Sequence, residues 1–306
     1  MLINGANLRT LGISFSTAYQ GAFAGVTPQY TNIAMTVPST TKTQEYGWLG
    51  QFPRVREWIG DRVVNNLVAH NYAITNRKFE TTVGVKADDI DDDNIGIYAP
   101  MFQELGRSVA AFPDELVWPL LLAGFGGASG LCYDGQYFFD TDHPVIDGSG
   151  NVTSVANTDG GTGRPWFLFD VSRAVKPIIY QQRKPFTDLV AMNQPTDERV
   201  FTAAEYRWGT DGRCNVGFGL WQFAWGSRQP LTPANYAAAR AAMQLFKGDN
   251  GKPLGITPNL LVVSPADEVN AKQIVNASLI ANAAGTAAIS NMLEGTATVL
   301  SVPWLA

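Results

Sequence analysis

The sequence predicts an α+β chain built from several lobes, and three observations carry that prediction. Apolar residues alternate at strand period within 67–85 and again within 200–225. Between them they step by threes and fours along an element of about 30 residues, long for a globular helix. From Thr232 onward the pattern turns to alternating helix and strand.

Residues 1–40 hold many Gly, Ala, Ser and Thr and little strong periodicity. A short amphipathic helix is expected from Ser14 to Ala24, with Phe15, Tyr19, Ala22 and Phe23 on one side. The Thr-Pro and Val-Pro steps at Pro28 and Pro38 then favour extended backbone, as in an arm that reaches out from the body. Residues 41–88 read as an extended hairpin with an irregular tip. Phe79, Thr81, Val83 and Val85 mark one strand, and Val68, His70, Tyr72 and Ile74 mark the one before it. The segment from Trp48 to Arg62 sets Phe52, Pro53, Trp58 and Ile59 among charged residues. A lone two-stranded hairpin is marginal in water, so this one needs a surface to lie on, which a partner subunit would supply. Trp48, Phe52, Trp58 and Ile59 are therefore the candidate subunit contacts.

The acidic run Asp88, Asp89, Asp91, Asp92 and Asp93 leads into the long helix, where carboxylates suit the helix dipole. It lacks the glycine and closing Glu of a calcium loop. The helix carries Phe102, Leu105, Val109, Phe112 and Leu116 at steps of three and four, with a bend or restart expected at Pro113 and Asp114 and Glu115 in the restarted first turn. The glycine-rich GFGGASG ends it. Residues 130–165 read as loops, with turns at Asp134-Gly135 and Asp147-Gly148 and a flexible NTDGGTG. WFLFDV and PIIYQ return to strand. A hairpin is expected next: Val200 to Trp208 on one strand, Asp211-Gly212 at the turn, Cys214 to Trp225 on the other. Thr232 and Pro233 start a helix to Lys247, Leu260 to Val263 form a buried strand, Ser264, Pro265 and Asp267 start a second helix through about Ile280, and Thr296 to Val302 make a last strand. The expected divisions are 1–40, 41–88, 89–232 and 233–306.

Composition narrows the function. Apolar residues make up 45% of the 306, enough for a sizeable core, while charged residues make up only 16%, so much of the surface is uncharged and suits burial against neighbours. A net charge of −5 and a pI near 5.1, with 22 scattered basic residues, argue against a nucleic-acid binder. No membrane-spanning run and no signal peptide are visible. Cys132 and Cys214, far apart, read as buried free thiols.

Chemistry is sparse. With two histidines, few nucleophile–base sets are available. His143, beside Asp140 and Asp142 in DTDHPV, is the one cluster resembling an acid–base or metal site, although Asp and His beside a proline also serve as turn formers. His70 reads as a packed or interfacial residue. GGTG and GFGGASG lack the Lys-Ser or Lys-Thr of a phosphate loop. Trp221, Phe223 and Trp225 could stack on sugars but fit a core better. No catalytic residue, cofactor or metal is expected.

Several long stretches resemble one family, the major head subunits of Mu-like bacteriophages. They are LGISFSTAYQGAF, FPRVREWIGDRVVNNL, YAITNRKFETTVGV, DDIDDDNIGIYAPMFQELGRSVAAFPDELV, YDGQYFFDTDHPV, FLFDVSRAVKPIIYQQRKP, YRWGTDGRCNVGFGLWQFAWGS, GKPLGITPNLLVVSP and the closing VLSVPWLA. They cover nearly the whole chain in order. The resemblance implies a capsid fold of the Hong Kong 97 type, with an N-terminal arm, an extended hairpin loop, a peripheral domain of spine helix and sheet, and an axial domain. On that fold 89–232 is the peripheral-type region and 233–306 the axial-type lobe. It further implies a structural, non-enzymatic subunit that forms pentamers and hexamers, closes an icosahedral virion head around DNA without sequence-specific binding, is assembled in the host cytoplasm, and meets scaffold, portal and other head proteins but no membrane. The competing expectations are a tail tube or sheath subunit, and a carbohydrate-binding or hydrolytic protein using His143, Asp140 and Asp142.

Overall fold

The computed structural model describes residues 3–49, 72–92, 95–194, 196–281 and 286–306. The first element is a helix, α1 (Gly5–Ala24), capped where the Asn4 side chain accepts from the Asn7 amide at 2.8 Å. It begins nine residues before the expected Ser14 because Leu8 and Leu11 extend the buried stripe of Phe15 and Tyr19. This stripe does not reach away from the body. It packs along a second helix described below, and the Phe15 ring stacks on Phe102 at 4.2 Å.

Three strands follow: β1 (Ala34–Pro38), β2 (Thr43–Glu45) and β3 (Ala73–Thr75). β2 and β3 pair antiparallel, Gln44 opposite Ile74. β4 (Arg77–Lys86) runs straight into the short helix α2 (Ala87–Asp91), whose first turn holds Asp88 and Asp89 as the dipole favours. The acidic run thus begins α2 and not the long helix; Asp89 accepts from the Tyr98 hydroxyl. Of the two alternating stretches in 41–88, the first contributes β3, which pairs with β2, and the second is β4, which pairs with a later strand. Residues 67–71, including His70, lie outside the described residues.

The long helix, α3 (Tyr98–Ala123), is continuous through Pro113 and Pro119. Asp114 is not a solvated first-turn residue. It is 1% exposed and accepts from the backbone amides of Gln29 (3.0 Å) and Tyr30 (2.6 Å) and from Trp118 Nε1 (3.0 Å). It thereby ties the segment after α1 to the middle of α3. Burial raises its pKa above the ordinary carboxylate value, and the three donors act against that rise.

Beyond α3 come β5 (His143–Ile146), β6 (Val152–Val155), β7 (Thr158–Gly161), β8 (Trp166–Phe169), β9 (Ile178–Lys184), β10 (Val190–Met192), α4 (Glu198–Ala203), β11 (Glu205–Phe218) and β12 (Ala224–Arg228). The expected hairpin at 200–225 is corrected here. β11 runs unbroken through Asp211-Gly212, with Asp211 opposite Glu80 and Gly212 opposite Phe79. A Cβ at Gly212 would overlap the Phe186 ring, so this glycine makes room for an aromatic and not for a turn. The flexible NTDGGTG is likewise replaced by an ordered edge: β7 pairs parallel with β12, and Gly161 (φ +96) lies against the Arg228 backbone. The chain closes with α5 (Pro233–Gln244), β13 (Lys247–Gly248), β14 (Lys252–Pro253), β15 (Leu260–Val263), α6 (Glu268–Val275), β16 (Leu279–Ala281), β17 (Ala288–Ser290) and β18 (Thr298–Ser301). Thr232 caps α5 through the Asn235 amide at 3.2 Å, as its sequence implies. α6 stops at Val275, short of the expected Ile280, because Asn291 captures the Ile274 and Ala277 carbonyls and the chain then enters β16.

Two five-stranded sheets organise the body. The first joins β1, β9 and β11, with β4 along one edge of β11 and β10 beyond the end of β9 on the other. α1 and α3 lie against it: Trp208 of β11 meets Phe15 and Phe102 edge-on at 5.2 and 5.9 Å. The second sheet has the order β18-β15-β8-β12-β7. Its central strands β8 and β15 are buried along their whole length, as WFLF and LLVV require. This sheet draws β7, β8 and β12 from 158–228, so the α/β lobe expected at 233–306 shares its sheet with earlier sequence.

Candidate assembly surfaces

Leu49 and Tyr72, the described residues on either side of 50–71, sit at a clamped base. Above the β2–β3 pair, the Tyr46 amide donates to the Tyr72 carbonyl at 2.8 Å. The Tyr46 hydroxyl donates to Gln181 Oε1 at 2.8 Å, and Gln181 Nε2 donates to the Ile74 carbonyl at 3.1 Å. The Tyr72 hydroxyl accepts from the Phe218 amide at 2.7 Å, and Asn215 Nδ2 donates to the Thr75 carbonyl at 2.7 Å. Burial pushes the Tyr46 hydroxyl up to about 12 and raises that of Tyr72, so both stay neutral hydrogen-bonding groups. Four of these polar contacts hold the base onto β9 and β11, and the Tyr46–Tyr72 contact joins its two sides.

Of the four candidate contact residues, the structure places Trp48. It sits on this base, 38% exposed, its ring 6.4 Å from Tyr46. Phe52, Trp58 and Ile59 lie outside the described residues. Other exposed apolar side chains had no assigned role in the sequence. Ile13 (63%) stands out on α1, Val190 and Met192 on β10, and Phe201 (90%) on α4. Val190 and Met192 alternate, which is a strand signal, but three residues are too few for periodicity to separate from loop. β4 and β10 each pair only with β11 among the described residues, which leaves open edges. Arg77, Lys78, Glu80 and Lys86 place charge on the β4 edge, whereas β10 carries none.

The suspected acid–base cluster is not assembled as its sequence suggested. His143 turns inward, wholly buried, and its Nδ1 meets Asp134 Oδ2 at 2.7 Å. Its Nε2 lies 3.2 Å from Asn157 Oδ1, and its ring stacks on Trp221 at 4.1 Å. Asp140 serves the local backbone, accepting from the Tyr137 and Thr141 amides. Cys132, Asp134 and His143 are close enough to approach a metal, but each is already engaged: the Cys132 thiol donates to Asp134 Oδ1 at 2.8 Å. Burial raises the Cys132 pKa, which keeps it a thiol. For Asp134, burial pushes upward, yet the His143 hydrogen bond and charge carry its pKa below the ordinary value. The arrangement is a closed polar staple beneath the second sheet. Cys214 is likewise buried and free. Trp221 and Phe223 are core residues, not a sugar platform.

No described helix is long and apolar enough to cross a membrane. Comparison with known proteins gives one answer. Residues 8–305 match the family described as Mu-like prophage major head subunit gpT. The chain is 42% identical over 301 residues to the major capsid protein of Escherichia phage Mu, covering 96% of this chain and 97% of that one. It is 44% identical over 267 residues to the Mu-like prophage FluMu major head subunit of Haemophilus influenzae, covering 85% of each. Among solved structures, a chain of the bacteriophage JBD30 procapsid superposes with a TM-score of 0.83 at 46% identity, covering 99% of this chain and 100% of that chain. A chain of the JBD30 capsid gives 0.75 at 36% identity, with both chains fully covered. The mixed helices and sheets are thus the tailed-phage capsid fold of the Hong Kong 97 type, and the expectations of a tail tube, a sheath or a hydrolase give way to a shell-forming role. The chain belongs to the Mu-like major head subunits, structural and non-enzymatic proteins whose copies associate into the capsid of a phage head.

Proposed function

We propose that copies of this chain gather into pentamers and hexamers, and that these close an icosahedral head around packaged DNA within the host cytoplasm. Scaffold, portal and other head proteins are the partners of that process. The observation that carries this reading is the clamped β2–β3 base, whose two sides flank residues 50–71. That base is tied to β9 by buried polar contacts, and Trp48 on it is partly exposed. A segment so firmly rooted and so rich in apolar side chains (Phe52, Trp58, Ile59) suits burial on a neighbouring copy. A stable contact of this kind buries on the order of 1,200–2,000 Å².

The lobes follow from the same reading. Residues 41–88 hold the extended loop and, with β4, lead into a peripheral-type region made of α1, α3 and the first sheet. The second sheet with α5 and α6 is the axial-type lobe, its strands interleaved with the peripheral ones along the chain. A net charge of −5 suits a container whose inner wall leaves DNA mobile and unread.

Cryo-electron microscopy of assembled particles tests the oligomers: closed shells with five- and six-fold clusters are expected, and tubes would overturn the reading. Deleting residues 48–60, or making Trp58→Ala, should leave a folded subunit by circular dichroism that assembles poorly. Normal heads from the deletion would remove the loop from the assembly mechanism.

A further inference from the structure

We infer that the groove between α1 and β10 is a contact site for a second copy of this chain, entered by a carboxylate or carbonyl oxygen. The inference rests on the shell reading above and adds a specific place to it. The groove, about 340 Å³, is lined by Arg9, Gly12 and Thr17 of α1 and by Ala191, Asn193 and Trp208 across from them. Its floor holds an unsatisfied donor. Trp208 is 1% exposed, and its Nε1–H has no hydrogen-bond partner among the described residues. Buried indole N–H groups normally find an acceptor, so this one marks a position where an acceptor arrives.

Gly12 leaves the space beside this donor unfilled by any side chain. A Cβ there would lie 3.4 Å from Trp208 Nε1 and 3.4 Å from Asn193 Nδ2, so the missing side chain leaves a notch onto which both nitrogens converge. Among the described residues Asn193 Nδ2 reaches only the Leu8 carbonyl, at 3.4 Å, and keeps a second hydrogen to offer. Arg9 adds a guanidinium to the same wall. Two neutral donors and a cation select an oxygen acceptor, best a carboxylate.

Three features point to another copy as the source. The chain is a shell subunit, so copies meet at high local concentration. It is acidic overall and exposes carboxylates such as Asp88 and Asp92, which complement Arg9. The groove is flanked by the open, charge-free edge of β10 and by exposed Ile13, Val190 and Met192, an apolar rim around a polar centre. A contact of this kind is head-to-tail, because the groove meets a different surface of the next copy.

The test uses the full chain purified alone, as free subunits and as shells. Peroxide dosing with mass spectrometry should find Met192 oxidised about tenfold more slowly in shells, as expected for a side chain at a desolvated contact. Gly12→Leu, which plugs the notch, and Arg9→Glu, which reverses its charge, should each fold normally and lower shell yield about tenfold. Equal Met192 oxidation in both states, or normal shells from Gly12→Leu, would overturn the inference and leave water as the only occupant. Protection seen solely when other head proteins are added would overturn it in favour of a different partner. Should Gly12→Leu fail to fold, the wild-type oxidation result still decides. A wild type that forms no shells would bring down the shell reading and this contact with it, whereas shells with unprotected Met192 would bring down the contact alone.

Discussion

The staple around His143 shows how a residue that looks reactive in sequence becomes structural once its neighbours are known. Asp140 and Asp142 are near His143 along the chain, but Asp140 is taken up by local amides, Asp142 is exposed, and the loop brings Asp134 from nine residues earlier to the imidazole. The ring has a carboxylate at one nitrogen, an amide oxygen at the other and an indole on its face, so no position remains open for a substrate. His143→Ala should cost about 3–5 kcal/mol, because it strands the nearly buried Asp134 carboxylate without its main partner. Urea melts of the unassembled subunit measure this. The pH dependence has a definite sign. Asp134 titrates below its unfolded value, so the stability it contributes is fully present above about 4 and is lost as pH falls through the lower folded value. The variant should lack that acid-side loss, and a wild type and variant with parallel profiles on the acid side would refute the pairing.

At the scale of elements, the close approach of α1 to α3 depends on Gly106. A Cβ there would collide with the Tyr19 carbonyl and stand 3.1 Å from the Phe23 amide nitrogen, both on the α1 backbone. Neither atom can turn aside. Gly106→Ala should therefore destabilise the subunit by about 1–3 kcal/mol through overpacking, although alanine gains about 1 kcal/mol of helix propensity. A denaturation midpoint equal to or above that of the wild type would show that the helices can part without cost. The same contact explains what was legible in sequence. α3 could be read because Phe102, Leu105 and Val109 repeat at helix period, and β4 because Phe79 to Val85 alternates. The course of α1 could not, since nothing local distinguishes a helix packed on a neighbour from one in a free arm. Asp211-Gly212 misled for a related reason. Asp-Gly is strong turn chemistry, but the β4 register and the Phe186 ring, both remote in sequence, hold it in a strand.

At the scale of the whole molecule, the candidate site was legible only in part. Aromatic density drew attention to the segment from Trp48 to Arg62, of which Trp48 lies on the β2–β3 base while Phe52, Trp58 and Ile59 lie outside the described residues. The groove at Gly12 was not readable, because its three donors come from α1, the residue after β10 and β11 and meet only in the folded chain. Function spread over surfaces leaves no compact motif, so family resemblance and not residue chemistry identified the shell. Charge then sets how the copies meet. Each brings a net −5, and the approach of many such subunits is opposed by long-range repulsion, while the exposed apolar residues are surface that association would bury. Raising salt from about 50 mM to about 500 mM shortens the screening length from roughly 14 Å to roughly 4 Å. The repulsion between whole subunits should fade faster than any single desolvated contact such as the one at Arg9. Shell assembly followed by light scattering should therefore accelerate with salt. Assembly that slows across that range would mean that ion pairs between subunits, and not apolar burial, dominate the interface.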